Sequence, residues 1–205
     1  LPGPFRSIAT RLGDDFAAIR DLIVMRPLLI DRGHGLLYDV LRDVTWLQDA
    51  NYAKTIRRTP DGQMTWPDAM GWVAGLSYRG ITGWRLPDAR AENGSGPHEM
   101  ENSPEGEFGH LFLVAGTRKS PPDLALRNFE SFAIYWYRNE FSAEEAWGFK
   151  TVGLKQGRLA KYPWAEGQPP VIDYKVLAWP VHDGDVGARL FVRFATRLWS
   201  LIARP

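Results

Sequence analysis

No cysteine occurs among the 205 residues. That excludes a disulfide, a thiolate metal site and a thiol nucleophile. It does not fix a compartment, because a chain of this length buries roughly 70% of its unfolded surface and needs no covalent staple. No Gly-x-Ser-x-Gly elbow, phosphate-binding loop or dinucleotide fingerprint is found either. The segment Gly94-Ser95-Gly96 stands in no motif context. An excess of charge of one sign is also missing: 25 Lys and Arg face 24 Asp and Glu, a net of +1, so no global field selects nucleic acid or an anionic membrane. No stretch reaches the roughly 18 apolar residues of a membrane span. The apolar run 190–202 is broken by Arg193 and Arg197. The first 27 residues carry Asp14, Asp15 and Asp21 where a secretory signal needs an uninterrupted apolar run, so no signal peptide is expected there.

What is abundant is tryptophan, glycine and proline, at 9, 20 and 15 residues. Glycine and proline mark turns and long connections, and each buried indole removes about 150–250 Å² from water. Charge is uneven along the chain. Between 88 and 107 six acids face one base, Arg90, while the tail from 189 has four Arg and no acid. The acidic stretch reads as a solvated loop that avoids anions.

The hydrophobic periodicity predicts an α+β domain at 28–187, preceded by a helical extension at 1–27 and followed by a basic, apolar tail at 188–205. Phe16, Ile19 and Ile23 carry the extension at helical spacing, and Pro27 ends it. Residues 28–39 read as strand, glycine turn and strand, and 44–47 as a further strand. The strongest helix is 65–76, with Thr65 as N-cap, Asp68 three residues on, and Trp66, Ala69, Met70, Val73 and Leu76 on one face. Residues 80–87 read as a turn and a short strand. A second core helix is expected over 104–115, weakened by Gly106 and Gly109. Strands are then predicted at 132–137, 147–152, 159–162 and 176–181. Strands and helices do not alternate, so the sheet should be mainly antiparallel.

Several segments stand together in order: Leu36-Leu37-Tyr38-Asp39, Thr45-Trp46-Leu47-Gln48-Asp49-Ala50-Asn51-Tyr52-Ala53, Met64-Thr65-Trp66-Pro67-Asp68-Ala69, Gly83-Trp84-Arg85-Leu86-Pro87, Phe108-Gly109-His110-Leu111-Phe112, Tyr135-Trp136, Ala146-Trp147-Gly148-Phe149, and Ala178-Trp179-Pro180-Val181 with Asp183-Gly184-Asp185-Val186. As a set, over about 29–186, they resemble the bacterial Lcl C-terminal domain family. Many of that family's members are exported by Gram-negative bacteria and sorted by a C-terminal PEP-type signal. The family is distantly similar to C-type-lectin-like folds, including the formylglycine-generating group with its Arg-Leu-Pro segment. The resemblance implies a single lectin-like domain with two core helices and long loops, secreted or on the cell surface. One member is a collagen-like adhesin whose C-terminal domain binds sulfated glycosaminoglycans, which implies adhesion through carbohydrate binding. This chain departs from the pattern at both ends, since 1–27 replaces the usual signal and no Pro-Glu-Pro precedes 190–202.

These residues divide into structural and contacting candidates. Trp46, Trp66, Trp84, Trp136, Trp147 and Trp179 lie in apolar patterns and are expected in the core. Arg85, between Trp84 and Leu86, is expected to be partly buried on a carboxylate such as Asp49, Asp68 or Asp88, with Pro87 closing the motif; direct ligand contact is its second role. Trp164 and Tyr162, on a Pro/Gly loop, are the candidates for stacking on a sugar ring. The group His98, Glu99, Glu101 and His110 matches no metal signature, and Asp183-Gly184-Asp185 reads as a tight turn. Calcium is a cofactor candidate by fold analogy only. The expected function is a non-catalytic binding domain for a glycan or other surface polymer. The alternative is a structural, homo-oligomerising envelope protein built on the two ends, followed by an enzyme of unrecognised class.

Overall fold

The computed structural model describes residues 28–115, 126–163 and 174–188. The extension at 1–27, the tail from 189 onward and Trp164 lie outside the described residues. The chain opens with β1 (Leu29–Gly33), β2 (Leu36–Asp39) and β3 (Val44–Leu47), then a short helix α1 (Tyr52–Thr55) and the longer α2 (Trp66–Ala74). A two-residue strand β4 (Met100–Glu101) precedes α3 (Gly106–Gly109), which continues as a π-helical stretch, His110–Val114. The second half supplies β5 (Ala133–Glu140), β6 (Glu145–Lys150), β7 (Lys155–Ala160), β8 (Lys175–Leu177) and β9 (Val181–Asp183).

The strands form two sheets, ordered β1-β2-β3-β9 and β4-β7-β6-β5-β8. Every pairing is antiparallel except β5 with β8. Helices and mainly antiparallel sheets thus make a single α+β domain. No helix among the described residues is long and apolar enough to cross a membrane.

Side-chain alternation builds three apolar layers. On β5, Tyr135 and Tyr137 point into the main core, while Ile134 and Trp136 point to the other face. The main core lies between the sheets, where Leu37, Val44 and Trp46 meet Tyr135, Tyr137 and Phe149. Phe108, Leu111 and Phe112 of the α3 segment fill the space between them. The Phe108 ring lies 5.2–5.8 Å from the rings of Trp46, Tyr135, Tyr137, Phe149 and Trp179. The second layer sets Ala69 and Val73 of α2 against Ile134, Trp136 and Val176. Leu36, Leu47, Leu76 and Trp84 make the third, on the outer face of the first sheet.

Local chemistry accounts for the elements. Thr65 caps α2 by accepting the Asp68 N–H at 3.4 Å, and a proline in the first turn is tolerated. The expected helix over 104–115 begins later and is looser. Gly106 enters it at φ +68°, a left-handed conformation. A Cβ on Gly109 would collide with the backbone carbonyl of Ser103. Gly109 therefore lets the helix lie close on its own lead-in, and Gly106 lets it start in a left-handed conformation beside the Asp88–Ala89 backbone.

Three strand expectations are corrected, the first being the strand expected at 159–162, which lies at Lys155–Ala160 with Gly157 inside it. Residues 80–87 form no strand; Arg85 makes only an isolated bridge to Val181. The run 176–181 is not one strand but two short ones, β8 and β9, in different sheets. Between them the backbone passes Ala178-Trp179-Pro180, and the Pro180 carbonyl accepts the Leu47 N–H at 3.3 Å. Proline has no N–H to continue a ladder, and the Trp179 indole fills the gap between the sheets, donating to the Leu47 carbonyl at 2.7 Å.

Phe108→Ala should lower the unfolding free energy by about 3–5 kcal/mol, read from urea denaturation. Phe132, 68% exposed, should change it by about 0.5 kcal/mol or less on the same substitution.

Candidate ligand-binding site

Arg85 is the first residue to place, because both of its expected roles depend on its partners. Its guanidinium carries five N–H groups, and all five are used within the domain. Nη1 and Nη2 donate to the two oxygens of Glu107 at 2.8 and 2.7 Å. Nε and Nη2 donate to Asp183 Oδ1 at 2.9 and 2.5 Å, and Nη1 also to the Leu86 carbonyl at 3.1 Å. The expected partners Asp49, Asp68 and Asp88 are corrected to Glu107 and Asp183. The same bonds leave Arg85 no spare donor for the direct ligand contact that is its second expected role. Burial alone would lower the guanidinium's pKa, but the bonds and charges of Glu107 and Asp183 outweigh it and hold it above its usual value. Those bonds hold the Asp183 carboxyl below the usual carboxylate range.

The acids of 88–107 are less free than a solvated loop implies. Glu107 also accepts the Asp88 N–H at 2.8 Å. Glu99 pairs with Arg158 at 2.6 Å and Glu101 with Lys155 at 3.7 Å. His98 Nδ1 lies 3.2 Å from Glu105. His110 is buried, with Nδ1 2.8 Å from Asp39 Oδ2, while Asp39 Oδ1 accepts the N–H groups of Leu41 and Arg42 at 3.1 Å each. This pair ties the α3 segment to the end of β2. At the end of β9 Asp183 faces Arg85, and in the turn that follows Asp185 is paired with Arg32. Among the described residues no three His, Asp or Glu side chains converge as a metal site requires.

The tryptophans fall into different layers. Trp46, Trp147 and Trp179 belong to the main core, Trp136 to the layer under α2, and Trp84 to the outer face of the first sheet. Trp66 is only half-buried; its N–H donates to the Tyr137 carbonyl at 2.8 Å, and Lys161 lies over its ring at 5.0 Å. Pro87 is buried, and its carbonyl accepts the Arg138 N–H at 2.8 Å. Tyr162 is 52% exposed beyond the end of β7.

A recess of about 340 Å³ opens elsewhere, at the end of β2 and β3. Tyr52 and Tyr78 form one wall, with ring centroids 5.2 Å apart at 84°. Gln48, Asp49, Arg79 and Arg127 line the rest. Its frame is backbone. The Gln48 and Arg127 carbonyls and the Arg127 and Ala50 N–H groups exchange bonds of 2.8 and 2.9 Å, which holds 127 beside 49. The Tyr78 hydroxyl donates to the His34 carbonyl at 2.7 Å, and a Cβ on Gly35 would lie 2.5 Å from that hydroxyl, so the turn accepts only glycine there. Asp49 is fully occupied: Thr55 Oγ1 donates at 2.5 Å, the Asn51 N–H at 3.0 Å, and Asn128 Nδ2 to both oxygens at 3.0 and 3.1 Å. Burial, then Tyr78 and Asp49, push the Tyr52 phenol up, so it remains a donor. The arrangement offers aromatic surface beside fixed polar groups.

Sequence reasoning singled out Asp49 but not Tyr52, Tyr78, Arg79 or Arg127 as its neighbours. Tyr52 lay inside a quoted segment, yet residues 78, 79 and 127 meet it only through folding. Comparison with known protein families, curated proteins and solved structures finds no match.

Two outcomes are expected at Arg85. Arg85→Ala leaves the buried Glu107 carboxylate unpaired and should cost about 3–5 kcal/mol in a denaturant titration. An unchanged melting temperature would contradict the geometry. The folded-state pKa of Asp183 lies below its unfolded value of about 3.9. The Asp183 contribution is therefore present above that pH and is lost as pH falls through the lower folded value. Asp183 is 74% exposed, so solvent screens the pair. Asp183→Asn should lower the denaturation midpoint slightly at pH 7, and the difference from wild type should begin to shrink as pH falls below about 4 and vanish once pH is below the lower folded value.

Proposed function

We propose that this domain is a binding module that recognises a glycan or other surface polymer, with the Tyr52–Tyr78 recess as its contact site. The carrying observation is the recess itself: two tyrosine rings on one side, and the Gln48 amide and the Arg79 and Arg127 guanidiniums around the rest, set on a hydrogen-bonded backbone frame. Its size falls within the roughly 300–1,000 Å³ typical of small-ligand sites. Sugars offer apolar ring faces and many hydroxyls, and aromatic surface beside fixed donors answers both. The resemblance to the Lcl C-terminal domain family and, more distantly, to C-type-lectin-like folds supports the same reading, and with it an exported location. Tyr162 with Trp164 forms the other candidate contact; Trp164 lies outside the described residues.

Screening the folded protein on a glycan array tests the proposal. Arg127→Ala removes an exposed side chain and leaves the backbone bonds intact. A lost hydrogen bond to a charged group corresponds to about 1.5–3 kcal/mol. Arg127→Ala and Tyr52→Ala should therefore each weaken binding of the array hits by about 10- to 100-fold, with the Arg127→Ala melting temperature unchanged. An array without hits, or hits indifferent to both substitutions, sinks this assignment.

A further inference from the structure

A second recess, separate from the one at Tyr52, lies on the α2-side face of the five-stranded sheet. Its volume is about 190 Å³, and it is lined by Ile134, Gly148, Lys150, Lys155, Gly157 and Leu159, with Arg158 at its edge. The floor is a cross-strand glycine pair, Gly148 of β6 directly opposite Gly157 of β7. The two glycines are there for different reasons. A Cβ on Gly148 would lie 2.8 Å from Ile134 Cγ2, so packing forbids a side chain. Gly157 is under no such constraint. A Cβ there meets nothing within 4 Å, and its φ is not in the left-handed region. Glycine inside a strand weakens it, and it is retained where another group must come close to the backbone. The empty space over Gly157 is the feature the glycine preserves.

The walls and rim define what fits that space. Ile134 and Leu159 are apolar. β6 lies between β5 and β7, so its backbone groups are engaged in ladders on both sides and the floor offers few hydrogen bonds. A hydroxyl-rich ring would lose its water without replacement; a flat apolar ring would not. The cations at the rim differ in their counter-ions. Lys150 has no carboxylate within 4.0 Å among the described residues, and its Nζ instead lies 4.2 Å from the centre of the Tyr174 ring. Lys155 reaches only Glu101, at 3.7 Å and exposed. Arg158 is occupied by Glu99 at 2.6 Å. We infer that this recess is a binding site for a small planar aromatic carboxylate, its ring on the Gly148–Gly157 floor and its charge between Lys150 and Lys155. The volume falls below the range of drug-sized sites, which fits a single ring.

Benzoate is the direct probe, titrated into isotopically labelled full-length protein while the amide resonances of Gly148 and Gly157 are followed. Saturable shifts centred on those two amides are expected. Neutral benzamide and non-planar cyclohexanecarboxylate should each bind at least about 10-fold more weakly, because a Lys–carboxylate contact and a flat stacking face are lost in turn. Gly157→Val should abolish binding and Lys150→Gln should weaken it at least about 5-fold, both without lowering the melting temperature. Three results would overturn the assignment: no saturable shift with benzoate, benzamide binding as well as benzoate, or Gly157→Val binding as wild type does. Should Gly157→Val fail to fold, Gly157→Ala carries the test. A fall in melting temperature in both would show that the strand itself requires glycine, and would equally defeat the inference.

Discussion

Everything between the two sheets is organised around one crossing of the chain, at Ala178-Trp179-Pro180. Before it the backbone belongs to β8 and the five-stranded sheet; after it, to β9 and the four-stranded one. A crossing of this kind leaves backbone groups without ladder partners in a dry interior, and such groups are expensive unless satisfied. Here the Pro180 carbonyl accepts from Leu47, and the indole N–H of Trp179 donates to the Leu47 carbonyl. One residue of β3 thus holds both the Pro180 backbone and the Trp179 side chain. The ring of Trp179 packs against Trp46 at 5.2 Å and Tyr135 at 5.4 Å, one from each sheet. Sheet spacing, the position of Phe108 and the fit of the α3 segment all depend on that indole.

The Arg85 cluster plays the corresponding part at the rim. It draws together three stretches far apart in sequence: the Trp84–Pro87 segment, the helical entry at Glu107 and the end of β9 at Asp183. A bidentate guanidinium–carboxylate pair is directional as well as strong, so it sets orientation where no strand ladder is available. The isolated bridge between Arg85 and Val181 is the backbone half of the same junction. An arginine saturated in this way has no spare donor, and a ligand, if one is bound, would be met by side chains whose polar groups are not spent on the frame.

The sequence revealed most where local chemistry decides. The α2 cap and face and the β1–β2 hairpin around Gly35 followed from spacing and turn residues alone, whereas the second strand expected at 159–162 lies at 155–160, with Gly157 inside the ladder and not in a turn. It misled where a local pattern met a tertiary requirement. Gly106 and Gly109 looked like weaknesses in a helix, but a left-handed entry against the Asp88–Ala89 backbone demands the first and close approach to the Ser103 carbonyl demands the second. Residues 176–181 read as one strand because apolar runs carry no mark of which sheet they join. Arg85 was legible as a buried cation, whereas Glu107 and Asp183 were not legible as its partners, being 22 and 98 residues away. The Tyr52 recess was invisible for the same reason. Its aromatic wall joins α1 to the 78–81 turn, and Arg127 arrives from beyond both helices.

Glycine is where stability and recognition can be told apart in this fold. A glycine at positive φ, or one whose Cβ would strike a neighbour, needs no explanation beyond the backbone. Gly35 and Gly148 are of that kind, and replacing either would strain the fold whatever the domain binds. Gly157 lowers strand stability and gains no packing in return. Natural sequences depart from local consistency mainly at functional sites, and the departure here coincides with a recess where Lys150 has no carboxylate within 4.0 Å among the described residues and Lys155 has an exposed one at 3.7 Å. The same reasoning applies at Tyr52 with the opposite sign: there the frame is tight and glycine is forced, and the open space comes from the arrangement of side chains above it. Two recesses made by different means, one by a missing side chain and one by a converging set, would bind chemically different ligands, since only the second surrounds its occupant with hydrogen-bonding groups.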